Sequence, residues 1–435
     1  MGSDLALILL PVLSLVLVAL GVPIAFALGS VAGIVALMIF PAPKLALLAT
    51  AGYGNLQDLN LAAIPMFVFM GWVLEKSHIA DDMFGGLELL LRRVPGGLAV
   101  GAILISAVLG AVMGELVAAL VTVSTLALPA MLRRGYDARL AVGTIMAGAL
   151  LGLIIPPSIE IIVYASSTGV SLGRLYLAAF LPGFLLAAIY IVFIVIRCRL
   201  NPSLAPGAAQ TEQPEDRVRL ILNMFVPFGI IAILIVGIYS GAFSPMEAST
   251  VGVALSLVVA LVRRRLTFPV FRDALTMTVR VTAMIVWLFI GIGIFMSVFN
   301  SLGGLATARE LAASAPGGAW SSLLFSQAVL LVGGAFIDDF ALIMLFGPVF
   351  STAMTDLGFD PLWYGILFLL NMQVAFLTPP YGFALFCMRA SLPPDSRITM
   401  VDIYMAAIPF ILLQLVCIAL VMLFPAIATF LPNAL

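Results

Sequence analysis

The chain has 435 residues, of which 63% are hydrophobic and 9% charged, and its formal net charge is −1. A soluble domain has roughly a quarter of its residues charged, so this chain has too few charges to coat a water-facing surface. The balance gives no sign of a nucleic-acid partner, and Cys198, Cys387 and Cys417 lie too far apart for a metal-ligand or redox motif.

Apolar runs of about 20 residues, long enough to cross a lipid bilayer as helices, recur along the whole chain. Only helices and closed barrels satisfy the backbone in lipid, and these runs are continuous rather than alternating. The predicted fold class is therefore an all-α polytopic membrane protein. Met1 to Asp4 carry no basic residue and no small-residue cleavage site follows, so Leu5 to Leu20 read as a retained span and not a leader. Further spans are predicted near 23–40 and 61–75, leading to a basic joint at Lys76, Arg92 and Arg93. His78, the one histidine, reads as structural.

The apolar stretch 97–131 lies between that joint and Arg133–Arg134, with Gly110 and Gly114 near its middle, and reads as a re-entrant helical hairpin. A crossing at 139–165 and a return at 173–197 follow. The polar segment 201–219 is the one obvious linker, dividing a first unit (1–200) from a second (220–435). The second unit is predicted to have spans near 220–241, 245–262 and 280–300, a hairpin near 321–355, a crossing at 359–388 and a last span near 403–430. Facing the basic joints to the cytoplasm leaves only Lys44, Arg174 and Arg309 outside. It puts both termini outside and the linker inside.

The two units repeat one another. Gly135-Tyr136-Asp137 and Gly358-Phe359-Asp360 lie 223 residues apart, as do Pro156 and Pro379, Gly110 and Gly333, and Glu115 and Asp338. Five crossings and a hairpin are an odd number, so the two copies must be inverted in the membrane, the pattern of secondary transporters with broken helices.

Each unit carries a Pro-Pro pair inside a span: Ile155-Pro156-Pro157-Ser158 and Thr378-Pro379-Pro380-Tyr381. Two prolines in succession stop a helix. The carbonyls this frees are costly in lipid unless something such as a bound cation meets them, and the resuming half-helix offers its amides to an anion. A packed kink is the simpler alternative. Glu160 follows the first break and Glu115 the first hairpin tip; two carboxylates there bind a cation, share a proton or pair with a basic substrate group. Asp338 and Asp339 stand at the second tip, where a carboxylate at membrane depth is functional by default and helix capping is the alternative. Asn371 and Gln373, before the second break, are candidates to line the site.

With these motifs in view, the whole chain resembles the large (M, DctM-type) membrane subunit of tripartite ATP-independent periplasmic (TRAP) transporters. The resemblance runs in order through GVPIAFALG (21–29), IPMFVFMG (64–71), PAMLRRGYDARLAVG (129–143), GLIIPPSIEIIVY (152–164), GGAFIDDFALIMLFGPVF (333–350), LGFDPLWYGILFLLN (357–371) and FLTPPYGFALF (376–386). The last looks most like the mannitol, chloroaromatic and 2-oxo acid branch. The resemblance implies an elevator-type ion-transporter fold in the bacterial inner membrane and Na+ as the coupling ion. It also implies a small four-helix (Q-type) membrane subunit and a periplasmic substrate-binding protein as partners, and a small organic acid as substrate. The family's sodium sites map here to Gly114 with Pro156, Pro157 and Ser158, and to Asp338, next to Asp339, with Thr378, Pro379 and Pro380. Glu115, Ser158, Glu160, Asn371, Gln373 and Tyr381 are the candidate substrate contacts. Many members have Ser-Gly-Ser where this chain has Met113-Gly114-Glu115, and Glu160 takes a position usually apolar or Pro. A stand-alone anion carrier without a binding protein is the alternative. An intramembrane enzyme is the remote one, against which stand the lack of a nucleophile–base constellation and of any sizeable soluble loop.

Overall fold

The computed structural model describes residues 3–114, 116–206, 217–313, 317–379, 382–393 and 396–434. Those residues form α-helices and short 3-10 turns, with no strand among them. The first part of the chain gives α1 (Ser3–Ala19), α2 (Ile24–Ile39), α3 (Ala42–Gly54), α4 (Ala63–Lys76), α5 (Ile79–Leu91), α6 (Gly97–Met113), α7 (Leu116–Arg133), α8 (Ala138–Leu150), α9 (Ile159–Thr168) and α10 (Leu172–Leu200). The second gives α11 (Arg217–Tyr239), α12 (Pro245–Val262), α13 (Phe268–Ser301), α14 (Gly304–Ala313), α15 (Ala319–Gly334), α16 (Asp339–Asp356), α17 (Pro361–Leu377), α18 (Phe383–Ser391), α19 (Met400–Leu423) and α20 (Ala426–Asn433). Among the described residues seven helical segments are long and apolar enough to cross a membrane. Large apolar side chains such as Val236, Val279 and Leu412 stand exposed on them, as a lipid-facing surface requires.

The recurrent Gly-aromatic-Asp triplet is a stop-and-start signal. Gly135 and Gly358 end α7 and α16 at φ +76° and +89°, a conformation costly for other residues. Two residues on, Asp137 caps α8 by accepting from Leu140 N at 2.9 Å, and Asp360 caps α17 by accepting from Leu362 N at 2.8 Å. The aromatic residue between anchors the turn in the first copy, where Leu98 N donates to Tyr136 Oη at 3.3 Å.

Several bounds differ from the sequence expectation. Helices α3, α5 and α14 lie between the predicted spans, too short to cross a bilayer; α5 carries Asp81, Asp82 and Glu88 and so escapes a search for apolar runs. Helix α13 runs from Phe268, twelve residues before the predicted span. The last span ends at Leu423 rather than near 430, because Pro425 cannot continue α19 and the chain restarts as α20.

Packing interleaves the two parts. Helix α2 lies on α13, α4 on α12 and α5 on α11. Arg263 at the end of α12 reaches Asp82 of α5 at 2.7 Å, and Asn223 of α11 donates to the same carboxylate at 3.1 Å. In a second group, α6 runs parallel to α8, Ser106 beside Gly148 and Gly110 beside Gly152. Helix α15 takes the same course along α17. The other limbs cross over: α7 packs on α18, and α16 packs on α9. Arg139 of α8 pairs with Asp402 of α19 at 3.0 Å, and Arg134 pairs with Glu88 at the base of α6 and α7.

Candidate functional site

The first Pro-Pro pair opens the helix between α8 and α9. A 3-10 turn, Leu151–Leu153, ends α8, and 154–158 are not helical. Ser158 closes the gap. Its Oγ lies 2.7 Å from Leu153 O, across the break, and 2.8 Å from Glu160 Oε2, and it accepts from Ile161 N at 3.4 Å as the N-cap of α9. The hydroxyl has one hydrogen to give. Leu153 O and Glu160 Oε2 both lie within its reach. Glu160 is 1% exposed, and Tyr176 Oη donates to Ser158 O at 3.5 Å.

The tip of the first hairpin seats on this break. Helix α6 ends where Gly114 turns left-handed at φ +61°, its N–H bonded to Gly110 O at 2.8 Å. A Cβ on Gly114 would stand 2.7 Å from Ile159 Cγ1, the first residue of α9. One on Gly110 would stand 2.7 Å from Gly152 Cα, so tip and break touch backbone to backbone. Gly71 of α4 backs the tip from the other side, its would-be Cβ 2.6 Å from Met113 Cα. Gly114, Ser158 and Glu160 are thus brought together with the Pro156–Pro157 turn. Glu115 lies outside the described residues.

At the second break, α17 ends at Leu377 and Thr378 donates its hydroxyl to Val374 O at 2.7 Å. Pro379 follows; Pro380 and Tyr381 lie outside the described residues. At the tip of the second hairpin Asp338 caps α16, its carboxylate accepting from Ala341 N at 3.1 Å, and Asp339 accepts from Phe340 N at 3.0 Å. A Cβ on Gly334 would lie 2.6 Å from Ala375 Cβ, which sets this tip against the last turn of α17.

Asn371 and Gln373 do not line one surface. Two residues on a helix are about 200° apart. Asn371 faces α15, donating to Gln327 O at 2.9 Å and Gln327 Oε1 at 2.7 Å. Gln373 is fully buried, and neither of its carboxamide atoms has a hydrogen-bond partner among the described residues. Gln327 and Tyr176 did not stand out in the sequence; an amide among the apolar residues and serines of AWSSLLFSQAVLLVGG was the available signal.

A family model described as tripartite ATP-independent periplasmic transporter, DctM component, matches residues 12–427. The chain is 29% identical to the C4-dicarboxylate TRAP transporter large permease protein DctM of Pseudomonas aeruginosa, over 92% of each chain. It is 31% identical to the uncharacterized protein YgiK of Salmonella typhimurium, over 96% of this chain and 95% of the other. It is 28% identical to the ectoine TRAP transporter large permease protein TeaC of Halomonas elongata, over 87% of each. Among solved structures, the YdaH transporter of Alcanivorax borkumensis superposes with a TM-score of 0.57 at 17% identity, covering 91% of this chain and 89% of that one, a likeness of fold.

Proposed function

This chain belongs to the DctM family of tripartite ATP-independent periplasmic transporter components, a multi-pass large permease subunit, and from that premise we propose that it takes up a small organic acid across the bacterial inner membrane by Na+-coupled secondary transport. A periplasmic binding protein delivers the acid, and a small membrane subunit completes the permease. Both termini are periplasmic and the central linker is cytoplasmic. The two parts of the chain are inverted repeats, and transport is of the elevator type: the hairpins and broken helices (α6–α10 and α15–α20) move against a frame of α1–α5 and α11–α14. The relatives are named as transporter permeases, which favours a carrier over an enzyme.

The observation that carries Na+ coupling is the oxygen cluster at the first break. Leu153 O, Ser158 Oγ and Glu160 Oε2 converge, beneath a hairpin tip whose Gly114 allows close approach. Hard cations take oxygen ligands of this mixed carbonyl, hydroxyl and carboxylate kind. The carbonyls freed by Pro156 and Pro157 add to them, and Thr378 to Pro380 with Asp338 and Asp339 form the second site. The substrate lies between the two breaks.

The test is uptake of labelled C4-dicarboxylates, 2-oxo acids and ectoine into proteoliposomes holding the subunit and its small partner. The binding protein is added or omitted, and either a Na+ or a proton gradient is imposed. Uptake that requires both Na+ and the binding protein is expected. Uptake without the binding protein makes the chain a stand-alone carrier, and full-rate uptake on a proton gradient alone removes Na+ coupling.

A further inference from the structure

Behind the first break lies a cavity of about 210 Å³ that the transport reading does not use. Its walls are Pro156 and Pro157, the start of α10 (Tyr176, Leu177, Phe180), the end of α11 (Leu234 to Tyr239) and Leu431 of α20. It opens to the apolar outer surface, since Val236 on its rim is 62% exposed and Tyr239 is 39% exposed. These rim residues lie on a helix long and apolar enough to cross a membrane, so the opening faces the apolar flank of the bundle.

One polar pair joins two of the helices that wall it. Arg174 lies one turn before Leu177 on the same face of α10 and donates to Asn433 Oδ1 of α20 at 3.2 Å. The helices that wall the cavity with Leu177 and Leu431 are thus joined by Arg174, one turn from Leu177. Arg174 is exposed, belongs to none of the ion pairs among the described residues, and stands apart from the basic clusters of the chain. Tyr239, at the end of α11, is the kind of residue that sits at headgroup level.

We propose that this crevice is a phospholipid site, with one acyl chain in the cavity and the anionic phosphate on Arg174. The tail packs against Pro156 and Pro157, so occupancy bears on the segment that holds Ser158 and Glu160.

The test is native mass spectrometry of the detergent-purified, delipidated subunit titrated with phosphatidylglycerol and, separately, with diacylglycerol of the same chains. Three variants accompany the wild type: Arg174→Gln; Leu177→Trp, which fills the cavity; and Lys44→Gln, an exposed cation that stacks on Phe40 and is not among the residues near the cavity. An interfacial arginine contributes enough to anionic-lipid binding for its loss to weaken retention about fivefold. Arg174→Gln is expected to show that loss for phosphatidylglycerol and little for diacylglycerol. Leu177→Trp is expected to weaken both lipids, and Lys44→Gln neither. Equal binding by all four proteins overturns the proposal. Loss in Leu177→Trp alone also overturns it as stated, since the occupant then needs no phosphate. No transport is measured, so failure here is separate from failure of the uptake assay.

Discussion

Ser158 is the residue on which the first break depends, because its hydroxyl spans the gap that the prolines open and also caps α9. Ser158→Ala removes an N-cap worth about 1 kcal/mol and leaves the buried Glu160 without that contact, a further cost of roughly 1–3 kcal/mol. Lower thermal stability is expected, read as an earlier loss of monodisperse protein on heating. The Na+ concentration for half-maximal uptake should rise with it, and Ser158→Thr should restore both. Glu160→Gln separates charge from structure. Its carboxamide can still bond Ser158, so the fold should hold while half-saturating Na+ rises about tenfold, the equivalent of 1.4 kcal/mol of binding; unchanged Na+ dependence would take Glu160 out of the proposed cation site. Gly114 faces a different constraint. Alanine there is strained at φ +61° by about 1–2 kcal/mol, and its Cβ meets Ile159 Cγ1 at 2.7 Å. Uptake by Gly114→Ala should fall at least tenfold with the protein still inserted. Partial recovery in Gly114→Ala/Ile159→Ala is expected if contact at the tip is the cause; no recovery would leave backbone strain as the whole effect.

At the scale of elements, a carboxamide pair ties α15 to α17, beside the hydrogen bond from Tyr364 to Ser326. Asn371→Ala strips Gln327 of its partner inside the bundle, and a stability loss of about 1–3 kcal/mol is expected. Gln373→Leu two residues on removes a buried amide that has no partner among the described residues, so stability should hold or rise. If transport nevertheless falls, Gln373 meets a ligand during the cycle; if transport is also unchanged, Gln373 is dispensable packing. The same pair shows what a sequence discloses. The apolar helices, the Gly-aromatic-Asp turns and the first Pro-Pro break were legible because each is a local signal: an apolar run, a left-handed glycine before a capping aspartate, a missing N–H. Helices α3, α5 and α14 were not, because short or charged segments owe their helicity to the neighbours they pack on. Asn371 and Gln373 were both legible as polar residues in an apolar span, yet not as facing opposite ways, with Gln327 as the partner of one. That pairing joins residues 44 positions apart, and hydropathy has no term for it.

At the scale of the whole molecule, the question is whether the two groups of helices move relative to each other. Within the proposed moving group the parts are knitted across the chain, with α16 on α9, α7 on α18 and Arg139 to Asp402. Between the groups the contacts include a part-buried ion pair, Arg134 to Glu88 of α5, a backbone fit and an exposed ion pair. Gly71 on Met113 is a backbone fit at the first tip, while Arg309 of α14 to Asp356 of α16, at 3.0 Å, is an exposed ion pair of the sort worth about 0–1 kcal/mol. A pair so weak is no obstacle to sliding, whereas a covalent bridge at the same place is. In a background with Cys198, Cys387 and Cys417 replaced by Ala, Arg309→Cys/Asp356→Cys joined by a short bifunctional thiol reagent should abolish uptake. The uncross-linked double variant should transport at close to the background rate, because it loses only the weak pair. A bridge of equal length within the moving group, Arg139→Cys/Asp402→Cys, should leave most activity. Equal inhibition by both bridges would mean that transport needs flexing inside the moving group. Full uptake with α14 tied to α16 would mean that this group does not travel past its frame, and the elevator reading would fail with the fold intact.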